Sequence, residues 1–355
     1  MADDGMPIVA LDGLGELRGD ACPAAPEVIR FLDVPYAAPP VGDTRWRQPS
    51  QPEPFEGVRA NPRVLTRCPQ PSMGGGAAPV TFEGHTLEDD EDCLKLAIWA
   101  PLAALRAAEE ADERAQLAAI EAAEAAAAEA EQLERAQVDG SVLPRDERPP
   151  GSSSGLPGGS SDAGNSHLDA AQTAEDAEAD TSHLLPIIFY IHGGGGRFGS
   201  CHTPAHGGEA LAASQNVVFI SVGYRLGILG FLAHPALSSE DRGQTACCGN
   251  YAIADQFAAL TWVQAHATSF GGNPNCVTIM GLSSGAQYVS TLIVSPPSRH
   301  PQWGISKESR PTGLFHRAFA QSCVDLPNVR KLQSGCEMWG EKSAEEWVRI
   351  PFSST

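Results

Sequence analysis

Residues 275–287 place a serine between a strand and a helix, and this segment constrains the fold more than any other part of the chain. Four apolar or β-branched residues, Val277 to Met280, predict a short buried strand. GLSSG follows directly, and the next ten residues, AQYVSTLIVS, carry apolar side chains at roughly helical spacing. A strand, a tight turn and a helix are the context that a G-x-S-x-G nucleophile motif requires. The order predicts a catalytic nucleophile at Ser283, with a purely structural turn as the alternative.

Each part of this motif has a physical reason. A serine at such a turn is forced into a strained backbone conformation, and glycines at 281 and 285 avoid collisions with the neighbouring strand and helix. The N–H of Ser284 opens the helix and is expected to point towards the place where an oxyanion forms.

Length and charge describe a globular protein with one unusual segment. The chain has 355 residues, 42% of them hydrophobic, which suffices for a large α/β domain. Its net charge of −20 is uneven, because residues 104–184 hold 18 acidic and 5 basic residues. The remainder is only mildly acidic, so we expect no nucleic-acid partner. Arg225 interrupts the longest apolar run, which argues against a membrane span. The amino terminus lacks a basic start and an apolar core, so we expect a cytoplasmic protein, with secretion as the alternative if that terminus is misassigned.

Residues 102–184 are predicted to interrupt the globular domain. Residues 103–137 are almost entirely strong helix formers, but large apolar residues are too few for a continuous buried stripe, which indicates an exposed helix. Residues 139–183 are rich in Ser, Gly, Pro and Asp and are typical of a flexible linker. The segment is either an inert Ala/Glu-rich insertion or a coiled-coil partner site.

A second glycine-rich motif follows the next buried strand, residues 186–191. His192 is followed by four glycines, and such a run lets backbone N–H groups converge on an anion or an oxyanion. A phosphate loop is the alternative, but no Lys-Ser/Thr follows and no acidic ribose partner lies at the usual distance. We therefore expect no nucleotide cofactor, and His192 is predicted to be structural.

The remaining elements predict an α/β fold. Residues 217–222 form another buried strand, residues 250–267 an amphipathic helix, and residues 316–321 a last short strand. Strand, helix, strand, serine turn, helix and strand in this order predict a doubly wound, mostly parallel sheet with its site at the carboxyl ends of the strands.

Nine cysteines are scattered without CxxC spacing, so no metal site is expected. Cys68 and Cys93 either close a loop as a disulfide or remain as two buried thiols.

Six motifs, in this order, resemble the type B carboxylesterase/lipase family, the cholinesterase-like branch of the α/β-hydrolase fold. They are FLDVPYAAPPVGDTRWRQP, CPQ with EDCLKLAIW, IHGGGGRFGS, SVGYRLGILGFL, the segment from GNYAIADQF to GLSSGA, and GLFHRAFAQS. The resemblance implies that residues 1–101 and 185–355 are parts of one hydrolase domain and that the substrate is a small-molecule carboxylic ester. It implies Ser283 as nucleophile and the amides of Gly194, Gly195 and Ser284 as the oxyanion hole.

The resemblance also implies a Cys68–Cys93 disulfide and two structural ion pairs, Arg45 with Glu91 and Arg225 with Asp255. Leu282, Gly196 and Gly223 depart from the family pattern, and the glycine at 196 is expected to remove part of a pocket wall.

The family's triad continues after the serine with an acid and a histidine. Beyond Ser283 the only histidines are His300 and His316, and Glu308 is the only acidic residue before His316. Eight residues are too few for the crossover between neighbouring parallel strands, so no triad can be assembled from them. We expect the acid- and histidine-bearing part to be missing and the chain to be almost inactive, with an inactive binding module or a non-functional fragment as alternatives. Cys336 is expected to be a free thiol.

Overall fold

The computed structural model describes residues 5–71, 80–139, 181–203, 207–234, 236–237, 249–295 and 313–323. The chain divides into two compact units, residues 1–109 with 183–355, and residues 110–182. Among the residues described, no helix is both long and apolar enough to cross a membrane. The predicted linker, His300, Glu308 and Cys336 lie outside the described residues, apart from the two ends of the linker.

The first unit is built on strands. In chain order they are β1 (Ile8–Leu11), β2 (Gly15–Arg18), β3 (Asp20–Cys22), β4 (Ala25–Pro35), β5 (Val58–Ala60), β6 (Val64–Arg67), β7 (Val80–Phe82), β8 (His85–Asp89), β9 (Lys95–Pro101), β10 (Leu185–Ile191), β11 (Val218–Val222), β12 (Gly272–Leu282) and β13 (Arg317–Gln321).

Seven strands form the main sheet, in the order β13-β12-β10-β11-β9-β4-β3. The pairs from β13 to β11 are parallel, as predicted for the part of the chain that carries the serine. The pairs from β11 to β3 are antiparallel. The sheet is therefore mixed rather than mostly parallel. The prediction missed this because the sequence pattern of the amino-terminal strands does not show their direction. Every residue of β9 and of β11 is buried, which fits central strands covered on both faces.

The amino-terminal part of the chain also forms two small sheets of three strands, with the orders β1-β2-β5 and β6-β8-β7. Together with β3 and β4 they account for the short apolar runs separated by Gly and Pro that begin the sequence.

Five helices lie among the described residues. They are α1 (Leu102–Asp139), α2 (Gly208–Gln215), α3 (Gly227–Phe231), α4 (Tyr251–His266) and α5 (Ser284–Val294), with single 3₁₀ turns at Gly42–Thr44 and Ala267–Phe270.

The long helix α1 has two different parts. Its first two turns bury Ala104, Leu105 and Ala108, and Leu105 belongs to the main hydrophobic core. Later in the helix Leu117 and Ile120 are exposed, as expected for a helix with too few apolar residues to bury a face. The compact first unit includes the start of α1 as far as Glu109.

Helix α4 is buried around most of its circumference rather than on one face. Phe257, Leu260 and Val263 belong to the main hydrophobic core, and Ala252 and the charged Asp255 are also buried. A buried carboxylate needs a partner, and Arg225 is the partner of Asp255.

Candidate active site

Ser283 lies at the sharp turn between β12 and α5. Its φ of 57° and ψ of −121° fall in a region that residues with a side chain rarely occupy. Neighbouring elements hold it there: its N–H donates to the carbonyl of Gln321 in β13 at 2.9 Å, and its own carbonyl accepts the N–H of Gln287 at 3.2 Å. Such strain persists only where the surroundings over-determine it, and it occurs most often at functional sites.

The glycines on either side of the turn are sterically required. A Cβ at position 281 would lie 2.3 Å from the carbonyl oxygen of Gly285. At position 285 it would lie 2.1 Å from the carbonyl oxygen of Ile191, at the end of β10. The start of α5 therefore packs directly against the backbone of the neighbouring strand, as the sequence predicted.

The glycine run after β10 lies beside this turn. A Cβ at Gly193 would lie 3.3 Å from the Cβ of Ser283. Gly194 and Gly195 have φ values of 116° and 64°, which glycine adopts without strain. The loop folds back at once, because the N–H groups of Arg197 and Phe198 both donate to the carbonyl of Gly194. The glycine loop therefore begins next to Ser283 and turns back on itself.

One contact joins two of the three predicted oxyanion-hole residues. The N–H of Gly195 donates to the side-chain Oγ of Ser284 at 2.8 Å. The sequence motif predicts a role only for the backbone N–H of Ser284. It does not predict a role for the hydroxyl, because the partner, Gly195, is 89 residues away in the chain.

His192 has the structural role that its position suggested. The ring is buried and stacks on Tyr224 with 4.3 Å between ring centroids, while the Tyr224 hydroxyl donates to the His192 carbonyl at 2.7 Å. Burial lowers the pKa of His192 to about 4, against a smaller opposite effect of the Gly193 carbonyl. The imidazole is therefore neutral at pH 7 and supports the loop that follows it.

His316 lies just before β13, beside the middle of β12, whereas Ser283 follows the carboxyl end of β12. The Nδ1 of His316 accepts the N–H of Val277 at 3.2 Å. Val277 and Ser283 are separated by six residues of a strand, about 20 Å at about 3.3 Å per residue. Among the residues that the structure describes, Ser283 Oγ has no hydrogen bond to a histidine, so the described part of the chain does not contain a catalytic triad.

The structure leaves no room for a side chain at Gly196. A Cβ at this position would lie 2.4 Å from the hydroxyl of Tyr288 and 3.1 Å from the ring of Phe231. These two rings stack with centroids 5.8 Å apart. Aromatic side chains from α5 and α3 therefore fill the space that a larger residue at 196 would need.

The expected Cys68–Cys93 disulfide is absent, and both residues are free, buried thiols. The two side chains do contact each other: a hydrogen bond to Cys68, together with burial, raises the pKa of Cys93. Cys68 Sγ also accepts the N–H of Leu226 at 3.1 Å. The alternative of two buried thiols describes this structure, because the thiols are satisfied by each other and by the backbone.

Both expected ion pairs are present, in very different surroundings. Arg45 donates twice to Glu91, at 2.6 and 2.7 Å, with 35% and 27% of the two side chains exposed. Arg225 donates to Asp255 through Nε at 2.9 Å, Nη2 at 2.7 Å and its backbone N–H at 3.0 Å. The second pair is 1% and 0% exposed, and it fixes the segment after β11 to α4.

Two polar contacts behind the glycine loop were not anticipated. Gln70 binds both backbone groups of Gly199, accepting its N–H and donating to its carbonyl, each at 2.9 Å. The buried His202 lies 3.2 Å from the carboxylate of Asp33, a residue with a φ of 60°. Burial alone would lower the pKa of His202, but Cys201 and Asp33 raise it to about 10. These pairs join residues more than a hundred positions apart, which no local pattern reveals.

Comparisons with known proteins agree on the family. The model of the carboxylesterase family matches residues 6–120 and 171–345. A fumonisin B1 esterase from Sphingopyxis macrogoltabida is 31% identical over 272 residues, which cover 77% of this chain and 35% of that protein. Carboxylesterase 4A from Bos taurus is 30% identical over 313 residues, covering 87% of this chain and 39% of that protein. The chain thus spans less than half the length of these relatives.

A solved structure shares the fold. A thermophilic PNB esterase superposes with a TM-score of 0.54 at 24% sequence identity, covering 89% of this chain and 44% of that protein. The mixed sheet and the helices of this chain, together with the family match, assign it to the carboxylesterase family of α/β-hydrolases.

Proposed function

We propose that this chain carries the nucleophile of a serine carboxylic ester hydrolase, with Ser283 as that nucleophile. The strained backbone of Ser283, held between β12, β13 and α5 beside a glycine loop, is the observation that carries the proposal. A binding protein gains nothing from keeping a serine in this conformation, whereas a nucleophile needs to stand clear of the sheet.

In the proposed reaction, Ser283 Oγ attacks the carbonyl carbon of a small carboxylic ester. The alcohol leaves with a proton, an acyl-enzyme forms, and water then releases the acid. Backbone amides of Gly194, Gly195 and Ser284 are the proposed donors to the oxyanion, and one such donor contributes about 10²- to 10³-fold in other serine hydrolases.

The base that accepts the serine proton determines how fast this chain turns over. No histidine among the described residues is hydrogen-bonded to Ser283, and removing the histidine of such a triad lowers turnover about 10⁶-fold. We therefore expect acylation by a strongly activated reagent to be measurable, and hydrolysis of an ordinary ester by these 355 residues to be very slow.

The test is covalent labelling with a fluorophosphonate, read by mass spectrometry of the labelled peptide. Ser283 and Ser284 are adjacent, so fragment ions and the variant Ser283→Ala must distinguish them. Label on Ser283 that disappears in Ser283→Ala supports the proposal. A folded protein that carries no label, or carries it on Ser284, would refute it.

The second candidate is a carboxylesterase-like binding protein without catalysis. The absence of a hydrogen bond between Ser283 and a histidine among the described residues favours it. A cooperative melt together with a complete lack of label at Ser283 would select this candidate.

A further inference from the structure

The hydroxyl of Ser284 accepts a hydrogen bond from the Gly195 amide, which the proposed reaction needs as a donor to the oxyanion. Ser284 is the first residue of α5 and is only 6% exposed. Its Oγ accepts the N–H of Gly195, at 2.8 Å, from a loop 89 residues earlier in the chain. One of the three amides assigned to the oxyanion is therefore already satisfied by a neutral acceptor from the protein itself.

Both backbone segments are held close to this contact, α5 at Gly285 and the loop at Gly193, although a Cβ at Gly195 itself would meet nothing within 4 Å. The start of α5 is closely packed on the end of β10, since a Cβ at Gly285 would meet the carbonyl oxygens of Ile191 and His192 at 2.1 and 2.8 Å. On the loop side, a Cβ at Gly193 would meet the carbonyl oxygen of Leu282 at 2.6 Å. Rotating the Ser284 side chain is the smallest movement that releases the Gly195 amide.

An incoming oxyanion can displace the hydroxyl, because hydrogen bonds to a charged acceptor are about twice as strong as neutral ones. To do so, it must break the hydrogen bond between the Gly195 N–H and the Ser284 hydroxyl that exists in the resting protein. The net worth of a neutral hydrogen bond, about 0.5–1.5 kcal/mol, corresponds to a factor of about two to ten in rate.

We infer that the Ser284 hydroxyl restrains reaction at Ser283 by occupying the Gly195 amide in the resting state. This inference rests on the proposed function of Ser283. It makes Ser284 a residue that tunes the site: acyl compounds that place a full negative charge on the oxyanion displace the hydroxyl readily, and weakly polarised carbonyls do so less well.

The rate test compares Ser284→Ala with the wild-type chain. We expect fluorophosphonate to label Ser283 about two- to tenfold faster in Ser284→Ala, because the Gly195 amide is then open. Ser290→Ala is the matched control, since it removes another partly buried hydroxyl from α5, one that donates to the carbonyl of Ala286. This control should label at the wild-type rate.

The contact itself is tested separately by hydrogen exchange of the Gly195 amide, measured by NMR in the Ser283→Ala background, where no covalent reaction can interfere. Adding Ser284→Ala should speed exchange at Gly195 by a similar factor. Unchanged protection would overturn the inference.

The outcomes separate the two proposals. If wild type is labelled at Ser283 but Ser284→Ala is no faster, or is slower, the inference fails and the proposed function stands. Slower labelling would mean that the hydroxyl donates its own hydrogen to the oxyanion. If no variant is labelled, the proposed function fails, and the restraint fails with it even if the exchange experiment detects the hydrogen bond.

Discussion

Replacing Asp255 by Asn should destabilise the protein far more than replacing Glu91 by Gln, although both changes remove the acid of an arginine–carboxylate pair. The side-chain N···O distances overlap, at 2.6 and 2.7 Å for Arg45–Glu91 and 2.7–3.2 Å for Arg225–Asp255. What differs is burial: the Arg225–Asp255 pair is 1% and 0% exposed, against 35% and 27% for Arg45–Glu91.

The expected magnitudes follow from this difference. Asp255→Asn leaves a guanidinium in the core without its counter-charge, and breaking a buried pair from one side costs about 3–5 kcal/mol. Glu91→Gln leaves Arg45 in contact with water, where exposed pairs are worth about 0–1 kcal/mol. Burial alone would lower the pKa of Arg225, but Asp255 raises it, so the guanidinium stays charged in the wild-type protein and cannot neutralise easily.

Urea unfolding followed by circular dichroism measures both free energies. The double variant Arg225→Met/Asp255→Asn removes the unpaired charge, while the amide oxygen of Asn can still accept the backbone N–H of residue 225. We expect this variant to recover most of the loss. Equal destabilisation by Asp255→Asn and Glu91→Gln would refute the argument that burial decides the value of these pairs.

Four further substitutions test other contacts. Gly285→Ala places a methyl group 2.1 Å from a backbone carbonyl oxygen of the neighbouring strand, so urea unfolding should show a loss of about 1–3 kcal/mol, and a wild-type midpoint would contradict this packing. Leu105→Ala should cost about 2–5 kcal/mol because the side chain is buried, whereas Leu117→Ala, at a position 61% exposed, should change stability by less than about 0.5 kcal/mol. For His202→Gln the expected result depends on pH: the pKa of His202 is raised from 6.5 to about 10, so its stabilisation is complete below pH 6.5 and is lost as the pH rises towards 10. The difference in unfolding free energy between wild type and His202→Gln should therefore shrink over this range, and a growing difference would show that His202 is not held as a cation beside Asp33.

Local patterns carried much of the fold. Buried strands at residues 186–191 and 217–222, and the strand, serine and helix around Ser283, appear where periodicity and glycine placement predicted them. These elements depend on short-range chemistry, because side-chain period and backbone freedom are properties of neighbouring residues. The direction of the amino-terminal strands was missed for the complementary reason, since strand pairing joins distant parts of the chain.

At the candidate site, the sequence by itself determined which residues can be there: a serine that needs a strained turn, glycines with no room for a side chain, and two arginine–carboxylate pairs. The tertiary structure alone decided how they meet. It brought the Ser284 hydroxyl onto the Gly195 amide, left Cys68 and Cys93 as thiols, and set His316 about 20 Å of strand away from Ser283. The physical reason is that hydrogen bonds and burial depend on distances of a few ångströms between segments far apart in sequence, which packing of the whole sheet sets.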